Sequence, residues 1–96
     1  MLFAIYARDR IDAGDLRKNT RVKHLSYLEN APLVFAGPLL NEENEMCGSL
    51  IVLEMENLRE VEKFSSNDPY SKAGLFKSVE ITRFKKAFPK KVRCEN

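Results

Sequence analysis

The chain is poor in the residues from which the commonest catalytic and binding motifs are built. Its 96 residues include one histidine, His24, and two cysteines, Cys47 and Cys94, which are far apart in the sequence. Two isolated thiols and one imidazole fit no structural zinc pattern, and without a secretory signal the cysteines read as free thiols rather than a bridge. No metal site is expected. There is no Gly-rich phosphate loop and no serine nucleophile elbow, and no organic cofactor is expected. No apolar run approaches the length of a membrane span, and the first residues lack the basic flank and small-residue cleavage site of a signal peptide. The protein is therefore expected to be cytoplasmic, with no membrane partner.

Apolar residues make up 44% of the chain and charged residues 31%, the balance of a folded domain rather than a disordered segment. At this length one domain spans residues 1–96, and an active site must share its walls with the core or with a second subunit. The net charge of +2 conceals an asymmetry. Residues 85–96 form a basic tail with Lys85, Lys86, Lys90, Lys91 and Arg93 against Glu95, while the first 84 residues carry 11 basic and 13 acidic groups, a net of −2. A mildly acidic body offers no surface for tracking phosphates, so nucleic acid is an unlikely partner.

Met1 to Ala7 is a short apolar run with aromatics on alternating sides, the pattern of a strand buried on both faces. A helix follows, capped by Asp12 or Asp15 and running to about Glu29, with Leu16, Leu25 and Leu28, and Thr20 or Val22 between them, as its apolar stripe. Within it Arg21 and His24 share a face, with the imidazole expected at the rim of the core. Leu33 to Leu40 is a strand whose Pro38 cannot donate to a ladder and so marks an edge, and Gly37 allows another group to approach closely. The polar link Asn41 to Glu45 joins it as a hairpin to a third strand, Cys47 to Glu54, apolar on both sides. Asn57 followed by Glu60 has capping-box spacing and starts a second helix, with Leu58, Val61 and Phe64 as its buried stripe. Asp68-Pro69 then opens one further helical turn, closed by Gly74. In the last strand, Phe76 to Phe84, Val79 and Ile81 are expected on one face and Phe76, Glu80, Thr82 and Phe84 on the other.

The order strand, helix, strand, strand, helix, strand predicts an α+β, ferredoxin-like βαββαβ sandwich: four antiparallel strands with both helices on one face. The first and third strands should be central. Two helices cover only one sheet face, so half of the first and third strands must show apolar side chains on the other, and a homodimer packed sheet to sheet is expected. The third strand carries no aromatic, unlike an RNA-recognition sheet.

For proton transfer the candidate is His24, because imidazole titrates near neutral pH. A carboxylate on one ring nitrogen would fix its tautomer, and Asp68, held in a tight Asp-Pro turn, suits this better than Asp9. By itself Asp68 reads equally well as a helix cap. Cys47 beside Gly48-Ser49 has nothing in the sequence to activate it.

Taken together, Arg21-Val22-Lys23-His24-Leu25, Ala36-Gly37-Pro38-Leu39, Gly48-Ser49 and Asp68-Pro69-Tyr70 with Ala73-Gly74, in this order and spacing, resemble the YciI-like, or YCII-related, family. The resemblance implies a dimeric α/β-barrel form of the ferredoxin-like fold, with a His–Asp dyad in a pocket. By motif match the dyad falls on His24 and Asp68, with Arg21, Gly37, Pro38, Ser49 and Tyr70 as walls or ligand contacts. It also implies a small enzyme of lyase or isomerase type, working by proton transfer on a cyclic or aromatic compound. In this reading Arg21 anchors an anionic group. The alternative is a non-catalytic module that binds a small ligand or holds an assembly together. The link from Glu29 to Phe35 is shorter than is usual in the family, which bears on the shape of the pocket mouth.

Overall fold

The computed structural model describes residues 1–90 of the chain. Lys91, Arg93, Cys94 and Glu95 of the basic tail lie outside the described residues. Seven elements follow in order: β1 (Leu2–Asp9), α1 (Leu16–Leu28), β2 (Leu33–Leu40), β3 (Met46–Glu54), α2 (Leu58–Asn67), the single turn α3 (Pro69–Lys72) and β4 (Phe76–Phe84). The strands form one antiparallel sheet in the order β2-β3-β1-β4. The two strands that are apolar on both sides are central, and the proline-bearing and charged strands are the edges, as the ferredoxin-like reading requires. Among the described residues no helix is long and apolar enough to cross a membrane.

Residues directly opposite on paired strands share a face, so the register divides the sheet cleanly. Phe3 pairs with Leu53, Ile5 with Ile51 and Ala7 with Ser49, and all six side chains are buried on the face that the helices cover. Phe3, Ile5, Ile51 and Leu53 join Leu28 of α1 and Val61 of α2 in the core. Each large side chain buried there contributes roughly 1.5–3 kcal/mol relative to leaving it exposed. The two helices also meet directly: the Tyr27 ring stacks on Phe64, and its hydroxyl donates to the Phe64 carbonyl at 2.8 Å.

The opposite face carries Leu2, Ala4 and Tyr6 of β1, Leu50 and Val52 of β3, Phe35 of β2 and Phe84 of β4. Phe35 is 54% exposed and Phe84 45%, and no helix among the described residues lies over them.

Several local expectations are corrected. Asp15 occupies the position before α1, but its side chain makes no capping bond, and Asp12 instead meets Arg10. The buried face of α1 is Arg17, Thr20, His24 and Leu28, while Val22 is 79% exposed and Leu25 is also exposed. Polar side chains thus fill a stripe that was sought in aliphatic ones. In α2, Asn57 does cap, accepting from the Glu60 amide at 3.0 Å, and Val61 is fully buried, but Leu58 is exposed. On β4 a register shift leaves Lys77 as an extra residue between Arg8–Ser78 and Asp9–Phe76. A bulge moves the residues beyond it to the other side of the strand. Phe76 therefore sits on the helix face, with its ring edge-on to Tyr70 at 6.0 Å between centroids. Gly37 leaves open space, since a Cβ there would meet nothing within 4 Å, and the close backbone approach is at Gly48, where a Cβ would overlap the Ala7 carbonyl oxygen and lie 2.9 Å from Leu39 Cδ1.

Because backbone cannot yield as a flexible side chain does, Gly48→Ala should cost about 1–3 kcal/mol by overpacking. A urea-melt midpoint unchanged from the parent would contradict this close approach.

Candidate functional site

Asp68 lies between α2 and α3, and the proline after it holds it extended, at φ −61° and ψ 131°. In that conformation its side chain turns back over the first turn of α3, and Oδ1 accepts from the Tyr70 amide at 2.9 Å. The same oxygen lies 2.8 Å from Nδ1 of His24, which arrives from the buried face of α1. Both side chains are shielded, with His24 6% and Asp68 3% exposed. An oxygen already accepting an amide hydrogen meets the ring as an acceptor, so Nδ1 donates. The neutral imidazole then keeps its lone pair on Nε2.

His24 lines a cavity of about 200 Å³ together with Arg21, Gly37, Pro38, Ser49 and Tyr70. The residues that the resemblance placed at the site thus gather here, with Asp68 bonded to the imidazole. Arg21 comes from the exposed side of α1 and makes no ion pair among the described residues. Ala36 and Pro38 form the β2 wall, and Leu25, Leu28 and Ile51 supply apolar surface.

Arg17 was missed as a site residue. It lies two helical turns before His24 on the same face and is buried. Nε and Nη2 bond the two oxygens of Asp9 at 2.7 and 2.8 Å, and Nη2 also donates to Ser49 Oγ at 3.0 Å. Burial works to lower the pKa of this guanidinium, but the hydrogen bonds and charge of Asp9, with a smaller contribution from Tyr70, outweigh it and hold it above the ordinary arginine value. The signal in the sequence was the recurrence Arg17, Arg21, His24, Leu28, which marks one side of a helix. What it lacked was any hint that Asp9, at the end of β1, waits opposite.

The Tyr70 ring stacks on His24, with centroids 3.9 Å apart and planes at 17°, and the Arg17 guanidinium carbon stands 4.6 Å from the same ring's centroid. Arg17 and His24 are separated by about 10 Å of helical rise, so a ring touching both is slotted between them. Burial raises the Tyr70 phenol above its usual pKa, Arg17 and Arg21 oppose the rise, and Asp68 adds to it. The hydroxyl therefore stays protonated at neutral pH. Tyr27 is raised likewise, by burial and then by Asp68.

Other groups lie elsewhere. Asp12 stands on the loop before α1, Lys72 faces a groove between α1 and α3, and Cys47 is half-buried beside Asp9 and Arg17 in a separate hollow. Among the described residues no three His, Cys, Asp or Glu side chains gather as a metal site would need.

The chain is thus a small ferredoxin-like protein with a hydrogen-bonded His–Asp pair beside a basic, single-ring-sized cavity. It belongs to the YCII-related family, whose domain matches residues 1–85. Protein YciI of Escherichia coli is 32% identical, aligning over 92% of this chain and all of its own length. An uncharacterized protein of Haemophilus influenzae is 31% identical with the same coverage. Among solved structures, 5-chloro-2-hydroxyhydroquinone dehydrochlorinase (TftG) of Burkholderia phenoliruptrix, in complex with 2,5-dihydroxybenzoquinone, superposes with a TM-score of 0.84. It is 36% identical and covers 91% of this chain and 96% of its own. A protein of Agrobacterium tumefaciens at 12% identity and a TM-score of 0.52 shares the fold alone.

Asp68 serves both α3 and His24, so Asp68→Ala should lose a cap worth about 1 kcal/mol and leave a buried imidazole N–H unpaired at about 1–3 kcal/mol. A chemical-denaturation stability within 0.5 kcal/mol of the parent would show that the carboxylate holds neither.

Proposed function

We propose that the protein is a small enzyme that transfers protons on a planar, hydroxylated cyclic or aromatic compound, in a lyase or isomerase reaction. The observation that carries the reading is the 2.8 Å bond from His24 to Asp68 beside a cavity that also contains Arg21. Nε2 of His24 is the general base. It takes a proton from an acidic ring hydroxyl, and Asp68 stabilises the imidazolium that forms. The electron pair left on oxygen moves into the ring. It takes a proton back at a ring carbon, which is an isomerisation; where that carbon bears an anionic leaving group such as halide, loss of a second hydroxyl proton then drives the leaving group off, which is an elimination. Arg21 faces the anionic oxygen. Its planar fork suits an oxyanion, and no carboxylate among the described residues occupies it.

Size supports this substrate class. A cavity of about 200 Å³ is smaller than the roughly 300–1,000 Å³ that holds drug-sized ligands, and fits one ring. The quinone ligand and the chlorinated hydroquinone named for the Burkholderia enzyme are of this kind.

5-Chloro-2-hydroxyhydroquinone is therefore a suitable probe, with released chloride as the readout and 2,5-dihydroxybenzoquinone as the binding competitor. Turnover should occur, and His24→Ala should lower kcat by roughly 10²–10⁴-fold, the usual worth of a general base. Full turnover by the alanine variant would refute the assignment.

The functional unit proposed is a homodimer joined through the open sheet face. Tyr6, Leu50, Phe35 and Phe84 give that face a contiguous apolar surface of the kind that marks an interface. Sedimentation equilibrium at micromolar concentration should give twice the chain mass, and Leu50→Glu should give monomer. A monomeric parent would overturn the dimer.

A further inference from the structure

The Asp9–Arg17 pair touches no atom of the His24–Asp68 bond, yet it is buried and held by three side-chain hydrogen bonds. The guanidinium is held by two carboxylate oxygens and by Ser49, and its side chain and that of Asp9 are only 10% and 11% exposed. The Tyr70 ring fills the space from this cation to the imidazole, 4.6 Å from one and 3.9 Å from the other. A surface ion pair would swing and be screened. This one is anchored in sheet and helix, and its cation lines the cavity with His24 while Asp9 does not.

We propose that Arg17, oriented by Asp9, is a positioning residue that acts on His24 across the Tyr70 ring, keeping the imidazole neutral and in plane for proton abstraction. The proposal rests on His24 being the base, as above, and adds what sets its basicity. Asp68 favours the imidazolium. Arg17 opposes it, because a second cation against the same ring is repelled by one that cannot turn away. The two charges thus act on the imidazole in opposite senses, one bonded to Nδ1 and the other across the Tyr70 ring.

The charged and titratable groups around the imidazole are few. Arg17 and Arg21 come from its own helix, Asp68 from the α2–α3 junction and Tyr70 from α3, while β2 and β3 present Gly37, Pro38 and Ser49, which carry no charge. Asp9 does not itself line the cavity, so altering it replaces no group in contact with the imidazole or the cavity and acts only through Arg17.

His24 is the only histidine, so its imidazole C2 proton gives one NMR titration curve in untagged protein. Asp9→Asn leaves Arg17 uncompensated and should lower the His24 pKa by about one unit, the effect of losing a unit charge on the order of 12 Å away at an effective dielectric constant near 20. Asp9→Asn combined with Arg17→Gln removes the nearer cation with its partner and should raise it by a few tenths of a unit. Asp9→Glu should restore the parent curve. Shifts of opposite sign, with the amide spectrum preserved, support the proposal. An unmoved pKa, or a fall in both variants, overturns it. If Asp9→Asn does not fold, the double variant decides alone: a rise supports the proposal and no rise overturns it. The titration needs no substrate, so it is separable from the turnover assay. Opposite shifts alongside full turnover by His24→Ala would reject the proposed reaction and leave the electrostatic coupling standing.

Discussion

A single carboxylate oxygen ties the structure together at its chemical centre. Oδ1 of Asp68 accepts from the Tyr70 amide and from the His24 ring. The first bond stops α2 and starts α3 in the orientation that places Tyr70 against the imidazole. The second fixes which ring nitrogen carries the hydrogen. Pro69 makes both possible by forcing Asp68 extended and by needing no hydrogen-bond partner of its own at the first helical position. Capping and orientation are therefore one arrangement, and the stability of α3 is coupled to the tautomer of His24.

Around that oxygen the charges are sorted by how they are satisfied. Arg17 is buried and lines the cavity, and Asp9 and Ser49 take up its Nε and Nη2 donors, so in the account proposed above it acts as a fixed charge. Arg21 is exposed on the next turn and faces the cavity without an ion pair among the described residues. Two arginines four residues apart on one helix thus have different work, decided by which strand end reaches them. A buried ion pair is weak evidence for stability. Its value here lies in geometry, since it holds Tyr70 as a plane between a cation and an imidazole.

The fold was readable because the strand pattern and the sheet order depend on the same quantity, the number of faces each strand buries. Leu2 to Ala7 and Cys47 to Leu53 have no polar side to offer solvent and became central, and Pro38 and the charges of β4 could be tolerated only at edges. The site was readable in two unequal parts. Asp68-Pro69 announces a cap from local chemistry alone, but nothing local says that a histidine 44 residues earlier will meet it. The chemistry of the two side chains made that pairing one candidate beside a plain cap, and the resemblance of ordered motifs singled it out. What could not be read was set by contacts between distant elements. The stripe of α1 is largely polar because Arg17, Thr20 and His24 face partners rather than plain core, so aliphatic periodicity took in Leu25, which is exposed, and left Thr20 and Val22 as alternatives, of which Thr20 is the buried one. The bulge opposite Arg8 and Asp9 has no glycine or proline to mark it, and it moved Phe76 to the other face.

The central claim is that Asp68 holds His24 with the hydrogen on Nδ1 and the lone pair of Nε2 toward the cavity. A long-range proton–nitrogen correlation spectrum of the single imidazole, recorded above its titration, reads the tautomer directly. The account predicts a protonated, pyrrole-type Nδ1 and an unprotonated, pyridine-type Nε2. A spectrum with the hydrogen on Nε2, or a rapid mixture of both forms, would contradict it.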